Sequence, residues 1–191
     1  KLLTSLHVTT YNHSLHQRVN AYHQQLLRKA FDLPTSNYTN SRGERLEDEV
    51  VYKYTNIVFA QSMIRSRMVM YYSHILRHPS SIMSACVFDV GYTPTIPFHT
   101  YIHKEPRTGM LGGQQPRPWL TEAEECAYLV YYYWFIYNVS QNIENFPGTP
   151  ENGYPNFADF VTNKDNVRDT LNEMRDYHID VYPLRNGDPL P

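Results

Sequence analysis

The segment that decides the fold runs from Ser41 to Pro79 and reads SRGERLEDEVVYKYTNIVFAQSMIRSRMVMYYSHILRHP. It contains a row of residues that follow one another in alternating steps of four and three, which is the spacing of one helix face. All of these residues are apolar except one glutamine, and they are Val50, Tyr54, Ile57, Gln61, Ile64, Met68, Tyr71 and Ile75. Ser41 and Glu44 fit a capping box at the start of this row, and Pro79 closes it. The sequence therefore predicts one amphipathic helix over residues 42–77.

The length of this predicted helix has a consequence for function. A helix over residues 42–77 would be roughly 54 Å long, at about 1.5 Å per residue. A compact chain of 191 residues has an expected diameter of only about 42 Å. We therefore expect the helix to bend or to project, and part of its apolar row to meet another protein. Gln61, in the middle of the row, suits a buried hydrogen bond or an ordinary half-exposed position.

Helical periodicity also marks segments on either side. In residues 2–31 the apolar positions share one face, and they are Tyr11, Leu15, Val19, Tyr22, Leu26 and Ala30. Pro34 ends this helix, because the residue before a proline disfavours the α conformation. Thr121 and Glu124 fit a second capping box before a stretch, up to Tyr137, that is apolar or aromatic on all sides. Its length and cap favour a central buried helix, although these residue types also occur in strands.

The rest of the chain divides into short helical and irregular parts. Residues 157–161 fit one helical turn, and Asn163 fits the cap of a last helix that carries Val167, Leu171 and Met174. Between residues 86 and 120 prolines and glycines interrupt any periodicity, although residues 85–90 fit a short strand, and the tail at 181–191 is proline-rich and extended. We predict a single domain over residues 1–191. Its class is mainly all-α, with three to four helices around the long one.

Composition excludes several function classes. The net charge is -2 and the isoelectric point is near 6.5, so a nucleic-acid-binding function is not expected. Residues 1–119 hold 13 Lys and Arg against 7 Asp and Glu, and residues 120–180 hold 3 against 11. This asymmetry fits two faces that neutralise each other inside one fold, or a polarised surface that orients a partner. No apolar run reaches the roughly 18–20 residues of a membrane span, and a processed mitochondrial chain and a secreted chain both remain open.

Two pairs of histidines are spaced like metal ligands. His13 and His16 share a stripe on the first helix, and His99 and His103 have the four-residue spacing of two ligands on one helix face. The second pair lies within the proline-rich segment, where that spacing has no special meaning. We favour structural roles for all four histidines, and we expect no cofactor.

Neither a catalytic motif nor a disulfide framework is evident. The chain lacks a Gly-x-Ser-x-Gly elbow and a phosphate-binding loop. Cys86 and Cys126 allow at most one disulfide, and two buried thiols are the common alternative. No residue is therefore predicted to be catalytic.

These features favour a non-catalytic helical subunit of a larger assembly whose partners are other protein subunits. The 17 tyrosines support this hypothesis, because tyrosine combines apolar area with one polar group and is common at interfaces. The alternative is a small helical enzyme, or a ligand- or metal-binding protein, that uses a pocket lined by His and Tyr. The predicted partner-facing residues come from the long helix and the irregular segment: Tyr54, Gln61, Met68, Tyr71, Ile75, Phe98, Tyr101 and Trp119.

Overall fold

The computed structural model describes residues 13–34, 46–88, 94, 118–142, 144, 146 and 153–184, without the side chains of 13–16, 49, 85, 86 and 118. This part of the chain contains helices and no strand, so the predicted all-α class is confirmed. Within the described residues there are seven helices, where three to four around one long helix were predicted, and a π-helical turn, Phe135–Val139, extends the fifth. They are α1 His13–Ala30, α2 Asp48–Thr55, α3 Ala60–Leu76, α4 Ile82–Val87, α5 Pro118–Trp134, α6 Phe157–Thr162 and α7 Lys164–Asp176.

The prediction of one helix over residues 42–77 is wrong. The helix stops at Thr55 and starts again at Ala60, and between them Asn56 adopts the left-handed conformation with φ 56°. The N–H of Asn56 bonds to the carbonyl of Lys53, and the N–H of Ile57 bonds to that of Tyr52, at 3.3 Å each. This pattern is a Schellman motif, which satisfies the last carbonyls of α2 and turns the chain away. The comparison of a 54 Å helix with the size of the domain therefore no longer applies.

The three non-glycine residues with positive φ among those described all end helices. They are Asp32 after α1, Asn56 after α2 and His178 after α7, with φ between 53° and 57°. Residues of this kind tolerate the left-handed region because a short polar side chain can bond locally. Here two of them also bond to each other, since His178 Nε2 lies 2.6 Å from Asn56 Oδ1. This bond joins the ends of α2 and α7. The break in the predicted long helix is therefore linked to a contact with a distant part of the chain.

The start of α3 is capped by a residue from another helix. Phe59, at the N-cap position, has no side chain that could accept a hydrogen bond. Instead Asn20 of α1 accepts the backbone N–H of Gln61 at 2.9 Å and donates to Gln61 Oε1 at 3.2 Å. Gln61 is half-buried, as one of the two sequence alternatives has it, and it also makes these part-buried hydrogen bonds, which link α1 to the first turn of α3.

Replacing Asn20 with alanine is expected to lower the free energy of unfolding by about 1–2 kcal/mol, because one free helix N–H and one amide oxygen lose their partner. Asn20→Asp keeps the acceptor for the N–H and loses the donor, so an intermediate effect is expected. The measurement is urea denaturation followed by circular dichroism. Gln25→Ala, at an exposed position of α1, is the control, expected to stay within about 0.5 kcal/mol of wild type. Equal losses for the two alanine variants would contradict a capping role.

The central helix is α5, and its start differs from the prediction. The helix begins at Pro118, where proline fits because the first helical position needs no N–H bond. Thr121 therefore lies inside the first turns and is not the N-cap, so the predicted capping box with Glu124 is wrong. The predicted strand at 85–90 is also wrong at its start: residues 85–87 belong to α4, and 89–90 lie outside the described residues. The helix α4 is capped by Ser81, whose hydroxyl accepts the N–H of Ser84 at 3.1 Å.

The main core forms around α5, which is helical as predicted. Most of the residues from Ala123 to Phe135 are buried, and they pack against α3, α6 and α7. The C-terminal predictions are confirmed: Asn163 caps α7, accepting the N–H groups of Asp165 and Asn166, and the three predicted apolar residues of that helix are buried. Of the predicted extended tail, residues 181–184 are described and lack regular structure, with Val181 and Leu184 buried. The core thus fixes α3, α5, α6 and α7, while α1 and α2 pack at one side with smaller apolar clusters.

Candidate functional site

Two apolar stripes remain exposed on the pair of helices α1 and α2. Tyr22 and Leu26 of α1 are 51% and 47% exposed, and Val50 and Tyr54 of α2 are 45% and 69% exposed. Each pair is four residues apart, so each lies along one side of its helix. Tyr22 and Leu26 belong to the row that the sequence predicts to be the buried face of α1, and that prediction is wrong for these two residues.

The buried face of α1 carries polar residues that the apolar pattern does not count. Val19 and Leu27 are buried there beside Gln24 and Arg28, which are 8% and 3% exposed. Arg28 Nη1 donates to the carbonyl of Pro34 at 2.7 Å, and Nη2 donates to the carbonyl of Leu46 at 2.7 Å. Nη2 also contacts Asp48 Oδ1 at 3.0 Å. One guanidinium therefore joins the end of α1 to the start of α2.

A further contact between α1 and α2 is uncharged. His23 Nδ1 and the Tyr52 hydroxyl are 3.3 Å apart, and Tyr52 stacks on Phe59 with ring centres at 4.1 Å. Burial lowers the pKa of His23, and burial together with the charge of Asp48 raises the pKa of Tyr52 to about 12. Both groups are therefore neutral near pH 7, and the two helices meet through apolar area and hydrogen bonds. This leaves their outward stripes in a fixed position.

The predicted partner-facing residues differ in how exposed they are. Tyr54 is among the most exposed large apolar residues described, as a partner contact requires. Met68 and Ile75 are 0% and 1% exposed in the main core, so the chain itself covers them and they offer no surface to a partner. Tyr71 and Trp119 are half-buried and pack edge to face at 5.9 Å. Gln61 bonds to Asn20, and Phe98 and Tyr101 lie outside the described residues.

A buried ion pair links the basic and acidic parts of the sequence. Arg65 Nε of α3 donates to Glu122 Oε1 of α5 at 3.0 Å, and both side chains are at most one-tenth exposed. Beside it, the Ser62 hydroxyl accepts the N–H of Val181 at 2.8 Å. Burial raises the pKa of the Asp180 carboxyl, while its hydrogen bond with Ser62 and the charge of Arg65 act in the opposite direction. This pairing favours internal neutralisation as the reason for the charge asymmetry.

A groove of about 270 Å³ runs between α3 and α7. Its apolar lining includes Met63, Met70 and Leu171, and its arginines are Arg67, Arg168 and Arg175. On α7, Arg168 pairs with Asp165 and Asp169 at 3.1 and 2.9 Å, and Arg175 pairs with Asp176 at 3.1 Å. The positive charges of α7 are thus matched by acidic neighbours on the same helix, so the groove does not indicate an anion-binding site.

A second pocket, of about 300 Å³, lies at the C-terminal end of α3. It is lined by Tyr71, His74 and His78, with Ser80, Ser81 and Met83 on the other side. The rings of His74 and His78 are 4.6 Å apart and tilted by 55°. The four-residue His-x-x-x-His spacing occurs at residues 99–103, as noted from the sequence, and also at 74–78. The same spacing at 74–78, inside the strongest helical pattern, is the signal that could have found this pair.

Most of the histidines and cysteines that the sequence marks as possible metal ligands or disulfide partners have side chains outside the described residues. The side chains of His13 and His16, and all of His99 and His103, lie outside the described residues. Cys126 is fully buried in α5, while the side chain of Cys86 is not described, so a disulfide stays a prediction. Within the described ranges no group of three or more His, Cys, Asp or Glu is placed to hold a metal ion.

Comparisons with known proteins do not assign the chain to a family. The chain matches no protein-family model, no curated protein and no solved structure. Among the helices described, none combines the length and apolar character needed to cross a membrane. The features that indicate a function are therefore those of the molecular surface.

Proposed function

We propose that this chain is a non-catalytic helical subunit of a larger protein assembly and that it docks through the outward stripes of α1 and α2. The observation that carries the proposal is the exposure of Tyr22, Leu26, Val50 and Tyr54, at 45–69% each. A contiguous apolar stripe left exposed along a helix is typical of a surface that another protein covers.

The sequence pattern supports the same conclusion. Tyr22 and Leu26 occupy positions that helical periodicity assigns to a buried face, yet the chain uses the neighbouring face of α1 for its own packing. An amphipathic helix that packs internally through one face and keeps an apolar stripe on another has area left for a partner. Burying a tyrosine removes about 150–250 Å² from water, so two tyrosines make a substantial anchor.

The charges around the stripes define the chemistry of the partner. Arg18 and Lys29 on α1 are exposed, and near Val50 both Lys53 of α2 and Glu47 at its N-cap are exposed as well. A complementary partner presents an apolar centre for Tyr22, Leu26 and Tyr54, with acidic residues opposite α1 and both signs of charge opposite α2, since opposite charges at the rim speed association and fix orientation. We infer a protein surface of this kind as the docking site.

The test compares two double variants of the tagged full chain in cells that produce it. Leu26→Glu with Tyr54→Glu adds two negative charges on the stripes, and Ala21→Glu with Gln25→Glu adds the same charge at exposed positions of α1 that adjoin the stripe but are not part of it. Size-exclusion chromatography with light scattering gives the mass of the particle that contains the chain. We expect wild type and the control in a particle well above 22.5 kDa and the stripe variant as a folded monomer. A wild-type chain that runs as a monomer, or a stripe variant that stays in the assembly, would rule the proposal out.

A further inference from the structure

We propose that His74 and His78 together bind one divalent transition-metal ion of the Cu²⁺ class. His74 lies in the last turn of α3 and His78 follows its C-cap residue, and both are exposed and line the same pocket of about 300 Å³. Neutral imidazole is a ligand for Cu, Zn and Ni, and two histidines in one pocket can share one ion. This site is separate from the stripes of α1 and α2, so it does not depend on the docking proposal.

The separation of the rings fits a shared ion. An imidazole nitrogen binds such an ion at about 2.0–2.1 Å, with the ring centre about 1.1 Å behind it. Two rings on one ion then have centres about 4.5 Å apart at a right angle and about 5.1 Å apart at the tetrahedral angle. The observed separation of 4.6 Å is close to the right-angle value. Right angles between ligands are typical of tetragonal Cu²⁺ and Ni²⁺, and Cu²⁺ is bound most tightly in the series of divalent metals.

The surroundings of the pair also suit a cation. The free carbonyls at the C-terminal end of a helix carry partial negative charge, which favours a positive ion there. The backbone there is ordered, because the N–H of His78 bonds to the carbonyl of Ile75 at 3.1 Å. The nearby Arg77 opposes a cation, but its Nε donates to the carbonyl of Ser73 at 3.1 Å, so that end of its guanidinium is held against the helix.

Other residues that line the same pocket can supply further ligands. Met83 is one of them, and its thioether is a soft ligand of the kind that binds Cu⁺. Ser80 and Ser81 also line the pocket, and their hydroxyls or water can complete the shell around Cu²⁺. Two histidines and an open side describe an accessible site rather than a closed structural one, in which four protein ligands surround the metal.

The test is titration of the full chain with CuSO₄, followed by isothermal calorimetry and electron paramagnetic resonance. We expect His74→Ala and His78→Ala each to weaken one Cu²⁺ site by at least about tenfold, since removing a ligand costs more than removing its hydrogen-bond partner. The double variant is expected to lose that same single site and no other. The spectrum of the wild-type site is expected to show nitrogen ligands that both single variants reduce.

The control is His178→Ala, an exposed histidine outside the pocket. Circular dichroism checks that each variant is folded, which we expect because both pocket histidines are exposed. If the single variants remove two independent sites, each histidine binds alone and the shared site is wrong. If the double variant keeps the wild-type stoichiometry and affinity, or His178→Ala loses as much, the bound Cu²⁺ lies elsewhere and the proposal fails.

Discussion

Replacing Tyr131 with alanine is expected to lower the free energy of unfolding by about 3–5 kcal/mol, the range for removing a large buried aromatic side chain. Tyr131 is 0% exposed in the middle of α5. Its ring contacts those of Phe157 and Phe160 of α6, with centres at 5.7 and 5.5 Å, and that of Phe146 at 5.4 Å. The substitution removes the shared neighbour of three aromatic rings and leaves a cavity that these rings cannot fill without moving. Urea denaturation followed by circular dichroism measures the loss.

A second substitution separates the ring from its hydroxyl. The Tyr131 hydroxyl donates to the carbonyl of Pro155 at 3.0 Å. Tyr131→Phe keeps the packing and leaves that carbonyl without this donor, so a loss of about 1 kcal/mol is expected. Tyr137→Ala, in the π-helical turn and 62% exposed, is the matched control, expected to cost less than about 1 kcal/mol. A loss for Tyr131→Ala no larger than that of the control would show that the aromatic cluster does not hold α5 and α6 together.

The parts of the fold that the sequence predicted correctly depend on local signals. Asn163 was recognised as a cap because its side chain bonds to N–H groups two and three residues along the chain. The buried residues of α7 follow from the three- and four-residue spacing alone, and the apolar stretch of α5 is long enough to favour a helix. None of these features requires knowledge of the rest of the molecule.

The parts that the sequence missed depend on contacts between distant residues. The break at Asn56 lies inside an unbroken apolar row, and it is held by His178, which is 122 residues away, and by Asn20 at the next helix start. The face of α1 was misassigned because Arg28 is buried, and its partners lie beyond the end of α1. Periodicity counts apolar residues, so it cannot register a buried guanidinium or show that Tyr22 and Leu26, two residues of the apolar row of α1, are left exposed.

The candidate site was missed for a related reason. Predicting one long helix put the expected partner surface along its full apolar row, so Met68 and Ile75 were included although the chain buries them. Among the predicted partner-facing residues that the structure describes, Tyr54 on the short helix α2 is the most exposed, at 69%. The pair His74 and His78 was visible in the sequence, but the decisive observation is the distance between the two rings.

Replacing Arg28 with methionine is expected to lower the free energy of unfolding by about 1.5–3 kcal/mol, because the hydrogen bonds that its buried guanidinium donates to two carbonyls and one carboxylate are lost. Arg28 supplies donors to Pro34, Leu46 and Asp48, the residues on either side of the segment between α1 and α2. Methionine keeps most of the apolar packing of the arginine stem and removes the guanidinium. The two carbonyls would then be left without this donor, and α2 would lose its main polar link to α1. Urea denaturation gives the magnitude.

The planar geometry of the Arg28 guanidinium predicts that lysine cannot replace this residue. A single ammonium cannot reproduce the planar pair of nitrogens that reaches Pro34 and Leu46 at 2.7 Å each. Arg28→Lys is therefore expected to recover less than half of the loss. Arg18→Met, at an exposed position of the same helix, removes the same charge and is expected to stay within about 0.5 kcal/mol of wild type. If Arg28→Lys were as stable as wild type, the positive charge alone would hold α1 to α2. The fixed orientation of their apolar stripes would then need another cause.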